Sequence, residues 1–449
     1  MDIQLKRIKE KLAQSKILDG EFAVFGADSH GYEIGDCATI EAVQAFEQKN
    51  NIKLPEAYVA FVTQIGNGNP DEEAYMGSAA GPYYGIYPLG DGIEDLLAGD
   101  AKRYLSYPCL LHPDMTEETW QALTSGMYEE DLSDEAYEAI VGPLFGGLLP
   151  LGTQGCAITT CLVLNGPYWG RIVYLNDDYK PVFAYETHFL DWYERWLDEI
   201  ISGELVAEHA GWFGYKRGGT AAFLWSAFQN STEEKEQVEY LEGLISKKDI
   251  QEEIIQALIE TIPQATTAVR QQLISILAKV DYSKSLSFLE EEVKENLLFV
   301  LQQIHWYGSN EADWIPLLEV YKNQIEEEET YRFFTYIAQK ATTDFAHLLL
   351  PGLLSPLSAI RSQAVYSLGK ATDKQQYATA FMTALKDEED QVVLYALQAL
   401  GGVEDDRLIQ AYQTVYHKYK DSDEDNYIMI NLNHRLKEKN LTVEDLKIK

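Results

Sequence analysis

Four cysteines in 449 residues are too few to staple a fold of this size. Cys156 and Cys161 stand without a second cysteine pair or a histidine cluster, and Cys37 and Cys109 add none, so no metal is expected. No run of about 18 apolar residues occurs, which predicts no membrane-spanning helix. Met1 to Ile17 alternates Lys and Arg with Ile and Leu and lacks the apolar stretch of a secretory signal. The simplest reading is a cytoplasmic, reduced protein. Positive charge is scarce: 36 basic side chains face 72 acidic ones, a net charge of −36. That balance opposes direct binding to nucleic acid or to an anionic membrane, since phosphate contacts need Lys or Arg.

Catalytic signatures are missing too. No two of the eight histidines flank a Glu at i, i+4 spacing. Neither a phosphate-binding loop nor a Gly-x-Ser-x-Gly elbow occurs. Gly66-Asn67-Gly68 lacks the third glycine of a dinucleotide fingerprint and ends a helix instead of starting one. Asp421, Asp423 and Asp425 fail as a calcium loop, because Asn426 takes the turn-glycine position and Leu432 the position of the bidentate Glu. His30, beside Asp28, reads as a structural hydrogen-bonding histidine. The expectation is a protein that is not an enzyme and needs no cofactor.

What is present is a real core. Hydrophobic residues make up 46% and aromatics 12%, which excludes bulk disorder, and the length suits two or three domains at about 150 residues each. Residues 1–200 carry 33 acidic and 12 basic side chains, a net −21. No Lys or Arg occurs from Tyr104 to Gly170, where nine acids lie. Such a stretch either steers a basic partner or merely solubilises one face.

Helical spacing predicts a helix over 3–18, with Ile3, Ile8, Leu12 and Ile17 roughly on one side. Thr39 is a plausible N-cap for a helix to Asn50, and Leu54-Pro55 opens another that stops at Gly66-Asn67-Gly68. Phe22 to Phe25 and Ile86 to Leu89 read as short strands. Glu117 to Ser125 and Asp134 to Ile140 read as helices. Ile158 to Asn165 and Gly170 to Asn176 are strands joined at Gly166-Pro167. Phe189 to Ile200 is an aromatic-faced helix. Four glycines within 211–219 suggest a linker over 202–220. Beyond it the pattern is helical throughout. Ile360, Ala364, Leu368 and Gly369 match Val392, Ala396, Leu400 and Gly401 at an offset of 32, and Val269, Leu273 and Leu277 fit more loosely. A period in the thirties predicts a helical solenoid.

Several short motifs in order carry a resemblance. Phe25-Gly26-Ala27-Asp28-Ser29-His30 opens the series. Ile52-Lys53-Leu54-Pro55-Glu56-Ala57-Tyr58 and Ile65-Gly66-Asn67-Gly68 follow, then Gly81-Pro82-Tyr83-Tyr84-Gly85-Ile86-Tyr87-Pro88-Leu89. Later come Leu149-Pro150-Leu151-Gly152, Asn165-Gly166-Pro167-Tyr168-Trp169-Gly170 and the helix from Phe189 to Leu197. Over roughly residues 20–200 the chain resembles the SUKH superfamily of Smi/Knr-type domains. The connection Asn69 to Ala80, carrying Asp71, Glu72 and Glu73, is longer than in bacterial members, so no family contact is carried onto it. The C-terminal part resembles HEAT-like repeats.

The resemblance implies an α+β fold, a mostly antiparallel sheet with packed helices, followed by an all-α HEAT-like solenoid. The implied domains are a SUKH-like binding domain over 1–201, a linker over 202–220 and a helical repeat domain over 221–449. It also implies a binding module. Bacterial relatives commonly serve as immunity proteins that neutralise toxins, often nucleases, and fungal relatives regulate cell-wall synthesis and signalling. The leading expectation is an immunity protein that occludes a basic toxin with an acidic surface; the alternative is an intracellular regulatory scaffold that binds proteins through both domains. The candidate partner contacts are Asp71, Glu72, Glu73, Tyr83, Tyr84, Glu129, Glu130, Asp131, Asp177 and Asp178. Tyrosine joins a large apolar area to a polar tip and suits binding hot spots. Tyr83, Tyr84 and Tyr87 equally suit packing under the sheet. Reversing charge at 129–131 is expected to slow association.

Overall fold

The structure is a computed structural model. It describes residues 1–71, 73–96, 101–129, 132–176, 179–206, 211–422 and 426–447. The chain divides into two compact units, Met1–Gln272 and Leu273–Lys449.

The first unit runs α1 (Asp2–Leu18), α2 (Ile40–Asn50), α3 (Glu56–Gln64), α4 (Glu117–Thr124), α5 (Asp134–Leu144), then strands β1 (Leu148–Gly155), β2 (Ile158–Val163), β3 (Ile172–Leu175) and β4 (Val182–Phe183). It continues with α6 (Phe189–Ile201), α7 (Ala221–Asn230), α8 (Glu234–Ile245) and α9 (Glu252–Thr261) to α10 (Thr267–Val280), within which the division falls. The strands pair antiparallel in the order β1-β2-β3-β4. An α+β unit with an antiparallel sheet is therefore what the sequence folds into.

Side-chain caps explain where the helices start. Thr39 accepts from Ala42 N at 3.1 Å, Thr116 from Thr119 N at 3.1 Å and Ser133 from Ala136 N at 3.2 Å. In α1 the buried stripe is Leu5, Ile8 and Ser15, while Ile3 and Ile17, expected on the apolar side, are exposed. Steps of three and four through 5, 8, 12 and 15 keep one face; positions 3 and 17 fall off it. Phe22–Phe25 is not a strand. The Asp19 carboxylate takes the amides of Ala23 and Val24 at 2.7 and 3.2 Å, and Phe22 adopts a φ of 53°, so no ladder forms. Ile86–Leu89 contributes one bridge, Ala79 to Ile86, with Tyr87 N donating to Leu151 O at 2.7 Å.

Helix α6 sits at the centre. Phe189, Leu190, Trp192, Tyr193, Trp196, Leu197 and Ile200 are all buried. Its rings meet α3: Phe189 lies 5.3 Å from Tyr58 and 5.0 Å from Phe61, and Tyr193 lies 4.8 Å from Phe61. Its polar edge meets α1. Arg7 donates to both Glu194 oxygens at 2.8 and 2.9 Å, Lys11 to Glu194 at 2.9 Å, and Gln4 to Asp191 at 2.8 Å. Burial works to raise the Glu194 pKa, but the hydrogen bonds from Arg7 and Lys11 outweigh it and hold the carboxyl at about 2. Arg195 is enclosed between Glu186 at 2.8 Å and Glu199 at 2.7 Å.

The segment expected as a linker, 202–220, lies inside this first unit. Phe213 is buried, Tyr215 stacks on Tyr174 at 4.8 Å, and Arg217 pairs with Glu239 at 2.6 Å. Gly218 runs so close to Arg195 that a Cβ would stand 2.2 Å from Nε. Gly214, Gly218 and Gly219 serve close packing here, and Phe213 is the aromatic that the segment buries.

The second unit is helical throughout its described residues: α11 (Tyr282–Glu292), α12 (Leu297–Tyr307), α13 (Ile315–Tyr321), α14 (Glu328–Ala341), α15 (Ala346–Leu349), α16 (Ser358–Leu368), α17 (Ala378–Ala384), α18 (Asp390–Ala399), α19 (Leu408–Tyr419) and α20 (Tyr427–Glu438). Helices α12, α14, α16, α18 and α20 pack in succession, as stacked repeats do. The six apolar residues of the 32-residue match are buried in α16 and α18 or at their C-terminal ends. The repeated glycines admit the next element: a Cβ on Gly369 would stand 2.9 Å from the Ala399 Cβ, and one on Gly401 2.0 Å from Arg435 Nη1.

Two outcomes test this packing. Arg195→Met leaves Glu186 without its cation and Glu199 with Lys247 alone, at 3.8 Å, so chemical denaturation should show a loss of about 3–5 kcal/mol; a change near zero would mean that Arg195 contributes nothing net. His30 is buried, its Nδ1 accepts from Tyr32 N at 3.1 Å, and burial lowers its pKa from 6.5 to about 4. Between those pH values the unfolded chain binds the proton and the folded chain does not, so stability falls as pH falls through that window, by up to about 3 kcal/mol. His30→Asn keeps an acceptor two residues back and should remove that slope. An unchanged slope would assign it to other groups.

Candidate protein-binding surface

The loop that departs from the bacterial pattern is built by its own polar groups. Asn69 Nδ2 donates to His30 O at 3.1 Å and Ser78 O at 3.0 Å, and Asn69 N donates to Gly77 O at 2.9 Å. Asn69 Oδ1 accepts from Asp71 N at 3.0 Å, and Asp71 Oδ1 from Glu73 N at 2.9 Å. These turns hold Asp71, Glu73, Tyr75 and Met76 out to solvent. Met76 takes a left-handed φ of 53° to do so.

Tyr75 carries the loop onto a chain of rings. Its centroid lies 5.8 Å from Tyr84; Tyr84 lies 5.6 Å from Phe25, and Phe25 lies 5.4 Å from Trp212. Phe25 is 54% exposed and Trp212 53%. Tyr83 supports them from below: its ring is 5.5 Å from Trp212, and its hydroxyl donates to Phe213 O at 2.8 Å. Tyr83 has a φ of 59°, and Gly26 approaches it so closely that a Cβ would stand 2.4 Å from the Tyr83 carbonyl oxygen. Three non-glycine residues with positive φ, Phe22, Met76 and Tyr83, occur in the segments that form this surface. Backbone strain of that kind persists where surrounding contacts enforce it.

The expected site residues separate into groups. Asp71 and Glu73 are exposed and share the loop with Tyr75, which reaches half-buried Tyr84. Tyr83 is buried and is not presented to a partner; burial pushes its phenol pKa up. Tyr87 is buried as well. The two sequence readings of these tyrosines thus divide by residue. Glu129 is exposed but lies in another segment, after the turn Ser125–Tyr128 that follows α4. Glu72, Glu130, Asp131, Asp177 and Asp178 lie outside the described residues. Sequence reasoning passed over Phe25 and Trp212 as binding groups. The available signal was Gly211-Trp212-Phe213-Gly214-Tyr215, since three aromatics are out of place in a solvated linker.

Among the described residues no group of three or more His, Cys, Asp or Glu could hold a metal ion, and no helix is long and apolar enough to cross a membrane. Glu194 and Arg195 have strongly shifted pKa values, but both are held in structural ion pairs, Glu194 with Arg7 of α1 and Arg195 with Glu186 before α6 and Glu199 one turn on. The chemistry on offer at the ring chain is therefore contact: apolar faces, phenol tips and carboxylates.

Residues 37–195 match the family model of the SMI1/KNR4 family (SUKH-1) and form a domain of that family. None of the curated proteins matches the chain. Among solved structures, the complex of CpcE and CpcF of phycocyanin lyase from Nostoc sp. PCC7120 is similar over 51% of this chain and 98% of its own, at 13% identity and a TM-score of 0.29.

If Asn69 holds the loop, Asn69→Ala should cost about 1–3 kcal/mol, because carbonyls of His30 and Ser78 lose their donor. Hydrogen exchange should then quicken at the Glu73 and Gly77 amides while α6 stays protected. Unchanged exchange at those amides would show that the loop is held otherwise.

Proposed function

We propose that this chain is a non-enzymatic protein-binding module, and that it acts as an immunity protein against a basic toxin, possession of a SUKH-1 domain being one support. The observation that carries the reading is the charge pattern around the ring chain. Between Lys16 and Arg171 the sequence holds four basic side chains, Lys49, Lys53, Lys102 and Arg103, against 24 acidic ones. Toxins that cut nucleic acid present basic clefts to phosphate. An acidic surface competes for such a cleft and blocks it without chemistry of its own. Its field speeds encounter, and the effect fades with salt because the Debye length is about 8 Å at physiological ionic strength. Exposed Asp71 and Glu73 supply charge beside the rings; exposed Glu129, and in the sequence Glu72, Glu130, Asp131, Asp177 and Asp178, complete the acidic partner contacts we propose. A standard interface of about 1,600 Å² would cover the loop and its aromatic neighbours.

The second reading, an intracellular scaffold, draws on the other unit. There Trp306 on α12, Tyr336 on α14 and Tyr366 on α16 are exposed, with Phe333 5.9 Å from Trp306 and 6.0 Å from Tyr336. Large exposed rings on successive helices suit a second protein partner.

Affinity purification of the intact protein from its native cell, at low and at high salt, separates the two. One dominant basic partner, lost at high salt and inhibited in a toxicity assay, supports immunity. Several partners retained at high salt by the intact protein, and reduced to background with a Trp306→Ala/Tyr336→Ala variant, support the scaffold. With the basic partner in hand, Asp71→Lys/Glu73→Lys should cut the association rate about tenfold at low salt. An unaltered rate would remove the loop from the docking surface.

A further inference from the structure

We propose that the open cavity between Phe25 and Trp212 is a socket that seats one apolar side chain of a basic partner protein, whose neighbouring arginines or lysines lie over the exposed rings. The proposal rests on the reading of the partner as basic and adds the place and manner of docking.

The cavity measures about 180 Å³ and is lined by Val24, Phe25, Tyr83, Leu205, Trp212 and Phe213 among others, with no charged side chain among the described residues of its wall. An apolar cavity of about 150 Å³ accommodates benzene, so this one suits a leucine or phenylalanine side chain. Its rim is aromatic and half exposed, while its floor is fixed by the Tyr83 hydroxyl on Phe213 O. Rigid aromatic walls around a small apolar pocket are the make-up of an interface hot spot. Phe25 and Trp212 both lie outside residues 37–195, so the socket is formed by segments before and after the family domain that close over it.

Charge selects the occupant. The segments that bring the rings together fall in 17–48, 54–101 and 211–215, none of which contains a Lys or Arg. They do expose Glu21, Asp28, Asp71 and Glu73. In sequence Lys16, Lys49, Lys53, Lys102 and Lys216 border them, Lys16 paired with Glu33 and Lys53 with Glu47. Exposed ring faces in a field of uncompensated carboxylates favour cations above them, through the ring quadrupole and through Coulomb attraction together. A second copy of the same chain is the wrong occupant, since a net −36 on each side would bring like charges together.

The test uses the intact chain with fluorinated tryptophan, whose eight residues give a resolvable set of resonances, Trp212 being assigned by Trp212→Phe. The probes are three short synthetic peptides: a leucine between two pairs of arginines, the same with glycine for leucine, and the same with glutamates for the arginines. The arginine–leucine peptide should move the Trp212 resonance and bind at least about tenfold tighter than the glycine version. Phe25→Ala should weaken it about tenfold without changing the melting temperature, because the side chain is half exposed. Binding of that peptide with Trp212 unmoved, abolished by Asp71→Lys/Glu73→Lys, overturns the socket and leaves the basic-partner reading standing. Equal binding of the glutamate peptide overturns both. A Trp212 resonance that moves with protein concentration alone assigns the surface to self-association and also overturns the socket.

Discussion

A buried phenol or indole without a hydrogen-bond partner costs free energy, and in a chain with 29 tyrosines the tips that do find partners brace the first unit. Tyr32 donates to Asp19 at 2.7 Å, Tyr193 to Ala80 O at 2.7 Å, Tyr83 to Phe213 O at 2.8 Å, and Trp192 Nε1 to Tyr174 at 2.7 Å. Two of the bonds span 113 and 130 residues and the other two 13 and 18, and three of the four end on a loop or turn. The aromatic side chains bury area as any core residue does, while their polar tips decide which loop lies where. The surface at Phe25, Tyr84 and Trp212 is a product of that bracing: Tyr83 beneath it is held by Phe213, and the 80–85 turn is held by Tyr193 of α6.

Charge plays two separate roles. Inside, acids are paired. Glu194 with Arg7 and Lys11, and Arg195 with Glu186 and Glu199, tie α1, α6 and the turn before α6 together. Burying them is tolerated because each ion has its counterion in hydrogen-bond geometry. Outside, acids around the ring chain have few cations to meet. A paired ionic network and an exposed acidic surface coexist in one unit because the first is short-ranged and satisfied, and the second faces solvent.

The helices were legible in the sequence where a cap and a 3.6-residue period agreed, as at Thr39–Asn50 and Phe189–Ile201. Strands were harder to read. Pro150, Gly152 and Gly155 break the alternation of β1, whose pairing with β2 shifts register between Pro150 and Gly152 and between Thr153 and Gly155. Phe22–Phe25 carried the right residues for a strand, yet one carboxylate, Asp19, satisfied the backbone locally. The Gly-rich stretch at 211–219 misled because glycine marks both freedom and close approach, and the neighbouring Trp212, Phe213 and Tyr215 decide for the latter. Of the expected site, the acidic loop was visible from Asp71 to Glu73. The aromatic half was not, since Phe25 and Trp212 are 187 residues apart and only the folded chain brings their rings within 5.4 Å.

Docking of a basic protein on the aromatic surface of the first unit is open to a kinetic experiment: stopped-flow association of the intact chain with its purified partner across a range of salt concentrations. The account predicts an association rate that falls by an order of magnitude or more between about 0.02 and 0.5 M salt, with a dissociation rate that barely moves. An association rate independent of salt would contradict it.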